Sequence, residues 1–558
     1  MRSVHQHRHF ILTLREETPM GISSSKPAGR FVLTIVLSLV CLLLLDLFQC
    51  RCILGSPASD GRIAVYTIAD PAGDWGFPSP FGHYARGPGY VRMSLCFDTL
   101  VWKDGQGHVP ALAETWKFID EENAWLFYLR TGVKWHDGKA FSARDVVFTF
   151  NYIKDHPYKW ADTGLINEVR ALDDRTVQIS LHAPYAPFLH TIAGTIPIIP
   201  AHIWKDVKDP SQFQTPDALI GTGPFVLKDY SRAHGTYLYE ANDRYYLGPP
   251  RVQHIRFVKM RKETAPAALR QGQINLTQIP SELADAMKRE NHSVLVGPHD
   301  WGAKLVINHK RPPLDNAEFR HALAYAIDRQ EIVDIGLRGF GIPASPGIIP
   351  RENPYFNDDT EQYPFDPAKA ESILKGLGYR KKGEYYEKDG QPLEMELLVS
   401  GTGIGVPGAP TEREGEIVKE QLKRAGIRVN LRSLESKTLD SMVSEWKFDL
   451  ALSGHGGLGG DPDILNRMIL GTGFNSARYD RNKELNDLLS AQVREMETGK
   501  RTTMIHRIQE IFAGEIPCLY LYNPNWYWAH DGRLNLFYTW QGISIGVPLP
   551  LNKLSFVR

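Results

Sequence analysis

Hydrophobic and polar positions along the chain fall into three stretches. The first is a charge-free, mostly apolar run from Phe31 to Leu45, entered through basic Lys26 and Arg30 and ended by Asp46. It is shorter than the roughly 20 apolar residues that span a bilayer. Its basic flank and the small residues Ser56 and Ala58 beyond it fit a secretory signal. Met1 and Met20 both stand as the start, the second giving a signal of ordinary length. A retained membrane anchor is the other reading.

The N-terminal half then mixes short strand patterns with aromatic loops. Arg62 to Ile68 predicts a strand. A loop punctuated by Gly and Pro follows, carrying Trp75, Phe77, Phe81, His83, Tyr84, Arg86 and Tyr90. Trp125 to Leu129 has strand length and His136-Asp137-Gly138 reads as a turn. Ser142, with Asp145 three residues on, opens a helix through Phe148.

The C-terminal half alternates helices and strands more plainly. Asp315 caps a helix whose apolar face is Phe319, Leu323, Ala326 and Ile327. Asp366-Pro367 starts another, with Ile373, Leu374 and Leu377 inside. Leu393 to Val399 predicts a strand. Thr411 and Glu414 open a helix through Leu422 that stops at Gly426. Strands follow at Ile427 to Leu431 and Phe448 to Ser453, then helices near Leu485 to Val493 and Ile505 to Phe512. Pro517 to Tyr522 is the last predicted strand. Alternation of this kind builds α/β layers.

Composition narrows the class. About 500 residues remain after the first stretch, too many for one core, so two or three domains are expected. A formal net charge of zero argues against nucleic acid as partner. Only Cys96 and Cys518 lie beyond the N-terminal region, which is no disulfide framework. They either pair in an oxidising compartment or stay as two buried thiols. Cys50 and Cys52 offer a lipid attachment point, although Gln49 and Arg51 precede them where a small residue is preferred.

Three catalytic-looking patterns fail on context. Gly542-Ile543-Ser544-Ile545-Gly546 matches a nucleophile elbow, but an elbow needs a helix after the serine and a later acid and histidine. The residues that follow Gly546 include Pro548 and Pro550 and no histidine. Gly454-His455-Gly456-Gly457-Leu458-Gly459 follows a strand, yet Gly460-Asp461-Pro462 continues the loop where a dinucleotide fold needs a helix. The histidines form no HExxH pair, and no Walker lysine motif occurs. No enzyme activity, cofactor or resident metal is expected. The glycine-rich loop keeps a different meaning, since it lets backbone approach a ligand closely at the carboxyl end of a strand.

Several blocks together carry a resemblance. Phe97-Asp98-Thr99-Leu100 precedes Leu112-Ala113-Glu114-Thr115-Trp116, and Gly132-Val133-Lys134-Trp135-His136-Asp137-Gly138 leads to Phe141, Ala143, Asp145 and Val146. Gly221-Thr222-Gly223-Pro224-Phe225, Tyr245-Tyr246, Phe319-Arg320 and Ala324-Tyr325-Ala326-Ile327-Asp328-Arg329 follow. With these blocks the chain resembles the bacterial family 5 extracellular solute-binding proteins, the peptide and nickel receptors of ABC importers.

That resemblance implies a two-lobed α/β fold of the type II periplasmic-binding-protein kind, with a further domain inserted in lobe one. Lobe one would comprise 59–96, 220–303 and 528–558, the inserted domain 97–219 and lobe two 304–527. Hinges would fall near Lys304 to Asn308 and Leu521 to Trp528. A monomer would close on a small, peptide-like solute in the periplasm or cell envelope and deliver it to permease subunits and their ATPases. Receptors for a metal chelate or an oligosaccharide are the alternatives, a sensing partner is a third use, and a secreted hydrolase acting through Asp461 and Asp463 is the reading from another class.

The family's peptide receptors hold the α-amino group with an aspartate, and Leu458 stands at its place. Ser400 to Pro410 contains no arginine for the carboxylate, and Asp463 stands where nickel-type receptors carry histidine. The expected ligand contacts are Tyr84, Arg86, Trp301, Gly456, Gly457, Leu458 and Asp461. Trp301 reads equally as a cleft wall or as ordinary packing between the lobes, and Asp461 as an amine partner or a helix cap.

Overall fold

The computed structural model describes residues 61–401 and 409–557. The apolar run from Phe31 to Leu45, Cys50, Cys52 and most of the loop from Ser400 to Pro410 lie outside the described residues.

Two large sheets organise the molecule. The first has seven strands in the order Ser293–Val296, Tyr527–His530, Leu276–Ile279, Ile63–Asp70, Val252–Lys259, Thr236–Ala241 and Phe225–Ser231. The second has six, in the order Gly341–Pro343, Cys518–Pro524, Trp301–Ile307, Leu450–Gly456, Glu394–Ser400 and Arg428–Leu434. Trp301–Ile307 and Cys518–Pro524 are buried at every position, the signature of strands covered on both faces. A separate antiparallel sheet joins Ala113–Ile119, Ala124–Leu129, Thr176–Leu181 and Ile166–Ala171. Its residues Trp125 and Phe127 share one core with Tyr66, Phe97 and Phe225 of the seven-stranded lobe.

The chain passes between the two large sheets in adjacent segments. Gly297 to Asp300 joins the strand ending at Val296 to the one beginning at Trp301, and Asn525-Trp526 joins Pro524 to Tyr527. They are tied together, the Gly297 N–H donating to the Trp526 carbonyl at 2.7 Å. The crossing therefore precedes the expected Lys304 to Asn308. Lys304 to Val306 are instead paired on both sides, with Ser453 to Ala451 and with Tyr520 to Cys518, and Ile307 pairs with Leu450.

The motif blocks converge on one bracket. Asp98 is fully buried and accepts from Thr222 Oγ1 at 3.0 Å and from the Tyr245 hydroxyl at 3.2 Å, while pairing with Lys553. Gly221 and Gly223 must be glycine because a Cβ there would meet the Cys96 backbone at 2.0 and 2.5 Å. Cys96 and Cys518 are both buried free thiols, which settles the choice left open above.

Local signals place most helices. Ser142 and Asp145 form a reciprocal cap on Ala143–Asp155, and Thr411 and Glu414 do the same for Glu412–Arg424. Asn316, not Asp315, caps Ala317–Ala326 by accepting from the Glu318 N–H. Ser544 sits in a loop closed by the Ile543–Val547 bridge, with no helix behind it.

Candidate functional site

The strand Leu450–Gly456 runs up the middle of the second sheet, and its glycines are set by what they meet. A Cβ at Gly454 would come 2.1 Å from the Trp301 ring, so the indole occupies the space that glycine leaves. Trp301 is only 4% exposed and pairs with Gly456 across the ladder. Gly457, at φ +89°, then turns the chain into the loop as far as Pro462. Leu458 is fully buried against Gly302 and Tyr520, in lobe two's core. Asn353 Nδ2 donates to the carbonyls of Leu458 and Gly460 and pins the loop from behind.

Asp461 is committed within its own lobe. Both of its oxygens are held by the Arg501 guanidinium, the Oδ2 contact at 2.9 Å, and Oδ1 also accepts the Asp463 N–H at 2.9 Å. Arg501 is in turn held by the Gln492 carbonyl and side chain. Burial, then the charge of Asp461, push the Asp463 carboxyl upward. The helix Ile464–Ile469 begins after Asp463, with no side-chain cap, so Asp461 binds the N–H of the residue ahead of the helix and does not cap it, and the ion pair occupies the carboxylate that an amine would need.

Facing this loop across a seam is the segment Gln541 to Gly546 of the other lobe. A Cβ on Gly546 would lie 3.2 Å from Gly457 Cα, and one on Gly460 would lie 3.4 Å from the Ile545 carbonyl. Glycine here lies on glycine. Behind the segment stands Lys103, buried, whose ammonium donates to the Ser544 carbonyl at 2.7 Å and lies 3.0 Å from His190 Nδ1. Burial pulls the Lys103 pKa well down, against the opposing charge of Asp461 across the seam. Burial, then the charge of Lys103, push the His190 pKa well down.

Tyr84 and Arg86 lie on the same lobe as that segment, and a Cβ on Gly87, next to Arg86, would come 2.6 Å from Val547 just beyond Gly546. The Tyr84 hydroxyl donates to Asp74 at 2.8 Å and accepts from Arg232. Arg86 is exposed beside the helix Gly87–Ser94. Its charge partly offsets the burial and the Glu435 charge that raise the Asp440 carboxyl in lobe two. Most of the aromatic loop goes into the core around Tyr90. A cavity of about 260 Å³, lined by Phe81, His83, Tyr158 and Trp160 among others, lies in this region and not at the glycine-rich loop.

The structure brings Trp301, Gly456, Gly457, Leu458 and Asp461 together, sets Arg86 beside Gly87, which packs on Val547 just beyond the facing segment, and holds Tyr84 on Asp74. Sequence reasoning missed Lys103, His190, Asp300 and Arg501. Arg501 sits on the helix Thr498–Glu515, where an arginine in a polar stretch reads as solvated. Asp300 follows the turn residues Gly297-Pro298-His299, and only its place just ahead of the mostly apolar run from Trp301 to Ile307 could have flagged it.

Comparisons with known proteins agree with this architecture. The dipeptide-binding protein of Escherichia coli is 27% identical over 450 residues, covering 74% of this chain and 80% of that one. Di/tripeptide-binding protein 1 of Pseudomonas aeruginosa is 28% identical over 486 residues, covering 78% and 85%. Among solved structures, NikA from Brucella suis in complex with Fe(III)-EDTA superposes with a TM-score of 0.75 at 20% identity, over 87% of this chain and 99% of that one. CtaP from Listeria monocytogenes, an ABC transporter substrate-binding protein, gives 0.73 at 24% identity, over 88% and 99%. Residues 107–476 match the bacterial extracellular solute-binding proteins, family 5 Middle, and the chain belongs to that family.

Proposed function

We propose that this chain is the receptor of an ABC importer, capturing peptides or peptide-like solutes between its lobes by hinge closure. The observation that carries the reading is the seam itself. A glycine-rich loop at the carboxyl end of a central strand meets a glycine-bearing segment of the opposite lobe, and paired crossing segments join the two. Such an arrangement holds a solute only when closed, so the solute shifts the population toward the closed form. The names of the relatives, dipeptide-binding and di/tripeptide-binding, supply the solute class. Export through the Phe31 to Leu45 run and delivery to permease and ATPase subunits complete the proposal.

Native mass spectrometry of the purified protein is the test. Peptide masses that leave on mild activation are expected, and oligosaccharide alone would sink the peptide assignment. A metal-chelate receptor is the second reading. It is favoured by His108 and His190, each with a buried ring nitrogen lacking a partner, and metal analysis without enrichment would remove it.

A further inference from the structure

Asp300 carries a buried carboxylate whose Oδ1 no other described residue answers, and the one favourable contact acting on the group is its own backbone N–H. The residue is 2% exposed, its Oδ1 has no hydrogen-bond partner, and no ion pair reaches it among the described residues. Its backbone is firmly placed, the carbonyl accepting from the Leu458 N–H at 3.0 Å. The side chain lies against the glycine-rich loop: a Cβ on Gly459 would come 2.7 Å from Asp300 Cβ and 3.4 Å from Oδ2.

The other lobe contributes a second unsatisfied group against the same crossing segment, at Gly297. The Tyr538 hydroxyl is buried and unpaired, and Gly297 has no room for a side chain because its Cβ would lie 2.9 Å from that oxygen. Burial, then the Asp300 charge, raise the Tyr538 pKa. The further charge acting on Asp300 is Glu352, which has the same sign and is already paired with His299.

An ionised carboxylate without a partner in such a place costs several kcal/mol. It is relieved by a proton, a metal or a cationic ligand. A metal finds no group of three or more suitable ligands among the described residues. A primary ammonium, by contrast, has three N–H donors to satisfy. The Asp300 oxygens and the Tyr538 hydroxyl oxygen offer acceptors from both lobes.

We infer that Asp300, with Tyr538 opposite, is the anchor for a protonated amine on the captured solute. The inference rests on the receptor reading above and sharpens it. Leu458 takes its carbon skeleton into the core of lobe two, and the acid is presented from the crossing segment, directly after His299. An amine bound there touches both lobes and the hinge together, which couples recognition to closure.

The experiment is calorimetric titration of the full mature chain and its Asp300→Asn and Tyr538→Phe variants. The probes are dipeptides and tripeptides with free amino ends, their N-acetyl counterparts, and 1,4-diaminobutane. Truncating one side of a buried charged contact costs roughly 2 kcal/mol or more, so Asp300→Asn is expected to weaken free-amine ligands at least about thirtyfold. Acetylation is expected to weaken binding to the native chain as much, and to matter little in the variant. Tyr538→Phe is expected to lose less.

A thermal melt without ligand separates folding from binding. Asp300→Asn removes an unpaired acid, so its Tm is expected to equal or exceed that of the native chain. If peptides bind and neither Asp300→Asn nor acetylation changes their affinity, the anchor is refuted while the peptide reading survives. If no peptide binds but 1,4-diaminobutane does so through Asp300, the peptide reading fails and the anchor stands. Binding of none of these probes overturns both.

Discussion

At Gly454 a single hydrogen in place of a methyl group decides how the central strand packs. Its Cβ position lies 2.1 Å from one Trp301 ring carbon and 2.4 Å from another, and Trp301 has nowhere to retreat. Gly454→Ala is therefore expected to cost about 1–3 kcal/mol, the usual range for overpacking a filled core, as a lower urea midpoint. A cost under about 0.5 kcal/mol would show that the indole is free to move. Asp461 and Arg501 give a second prediction at this scale. Their bidentate pair is buried on both sides, and removing one partner strands the other charge. Arg501→Ala is expected to destabilise by about 3–5 kcal/mol, measured by the same denaturation, and an unchanged midpoint would contradict the pairing. The acid was legible in the sequence and its partner was not. Asp461 stands next to Pro462 in a visible loop, whereas Arg501 comes from a helix 40 positions on, and no local pattern encodes that meeting.

Elements were readable where their signals are local. Both capping boxes, the Asp366 cap and the positive-φ stop at Gly426 sit where the residue pattern puts them. What escaped depends on pairing between distant segments. Tyr527–His530 became a strand because it lies between Leu276–Ile279 and Ser293–Val296, and the crossing moved because the ladder claims Lys304 to Ile307. That crossing segment carries a pH-dependent tie. His299 contacts Glu352 through Nδ1 and Asn525 through Nε2, linking one crossing segment to the other. Burial opposes the charged imidazole, but the Glu352 hydrogen bond and charge outweigh it and raise the His299 pKa, while Glu352 is lowered chiefly by its bond to His299. For the histidine, the folded value exceeds the unfolded one. Its stabilisation is thus complete below about 6.5 and is lost as pH rises through the raised value. The glutamate sets the acid limit, since its share is lost as pH falls below about 4.3. The Tm difference between the native chain and His299→Gln should be larger at pH 6 than at pH 9. A difference independent of pH would mean that His299 acts by packing alone.

At the scale of the whole molecule, the fold was legible because the resemblance blocks describe a scaffold: Asp98, Gly221, Thr222, Gly223 and Tyr245 all meet at one buried point. The site was less legible, because its parts come from both lobes and face each other only after folding. The seam itself can be tested by pairing two glycines with similar backbones and different surroundings. Gly546 has φ +111° and touches Gly457 across the seam, while Gly248 has φ +106° and nothing within 4 Å of its Cβ position. An alanine at either position bears the same kind of left-handed backbone penalty, roughly 1–2 kcal/mol. Only at Gly546 does the added methyl group also press on the opposite lobe, at 3.2 Å from Gly457 Cα. Gly546→Ala should therefore weaken solute binding about tenfold, as expected for a closed state disfavoured by ~1.4 kcal/mol, and small-angle scattering with solute should show a larger radius of gyration. Gly248→Ala should match it in lost Tm and leave affinity and radius at native values. Equal affinity in the two variants would mean that the Gly457–Gly546 contact is incidental to closure, and that the lobes hold the solute by other surfaces.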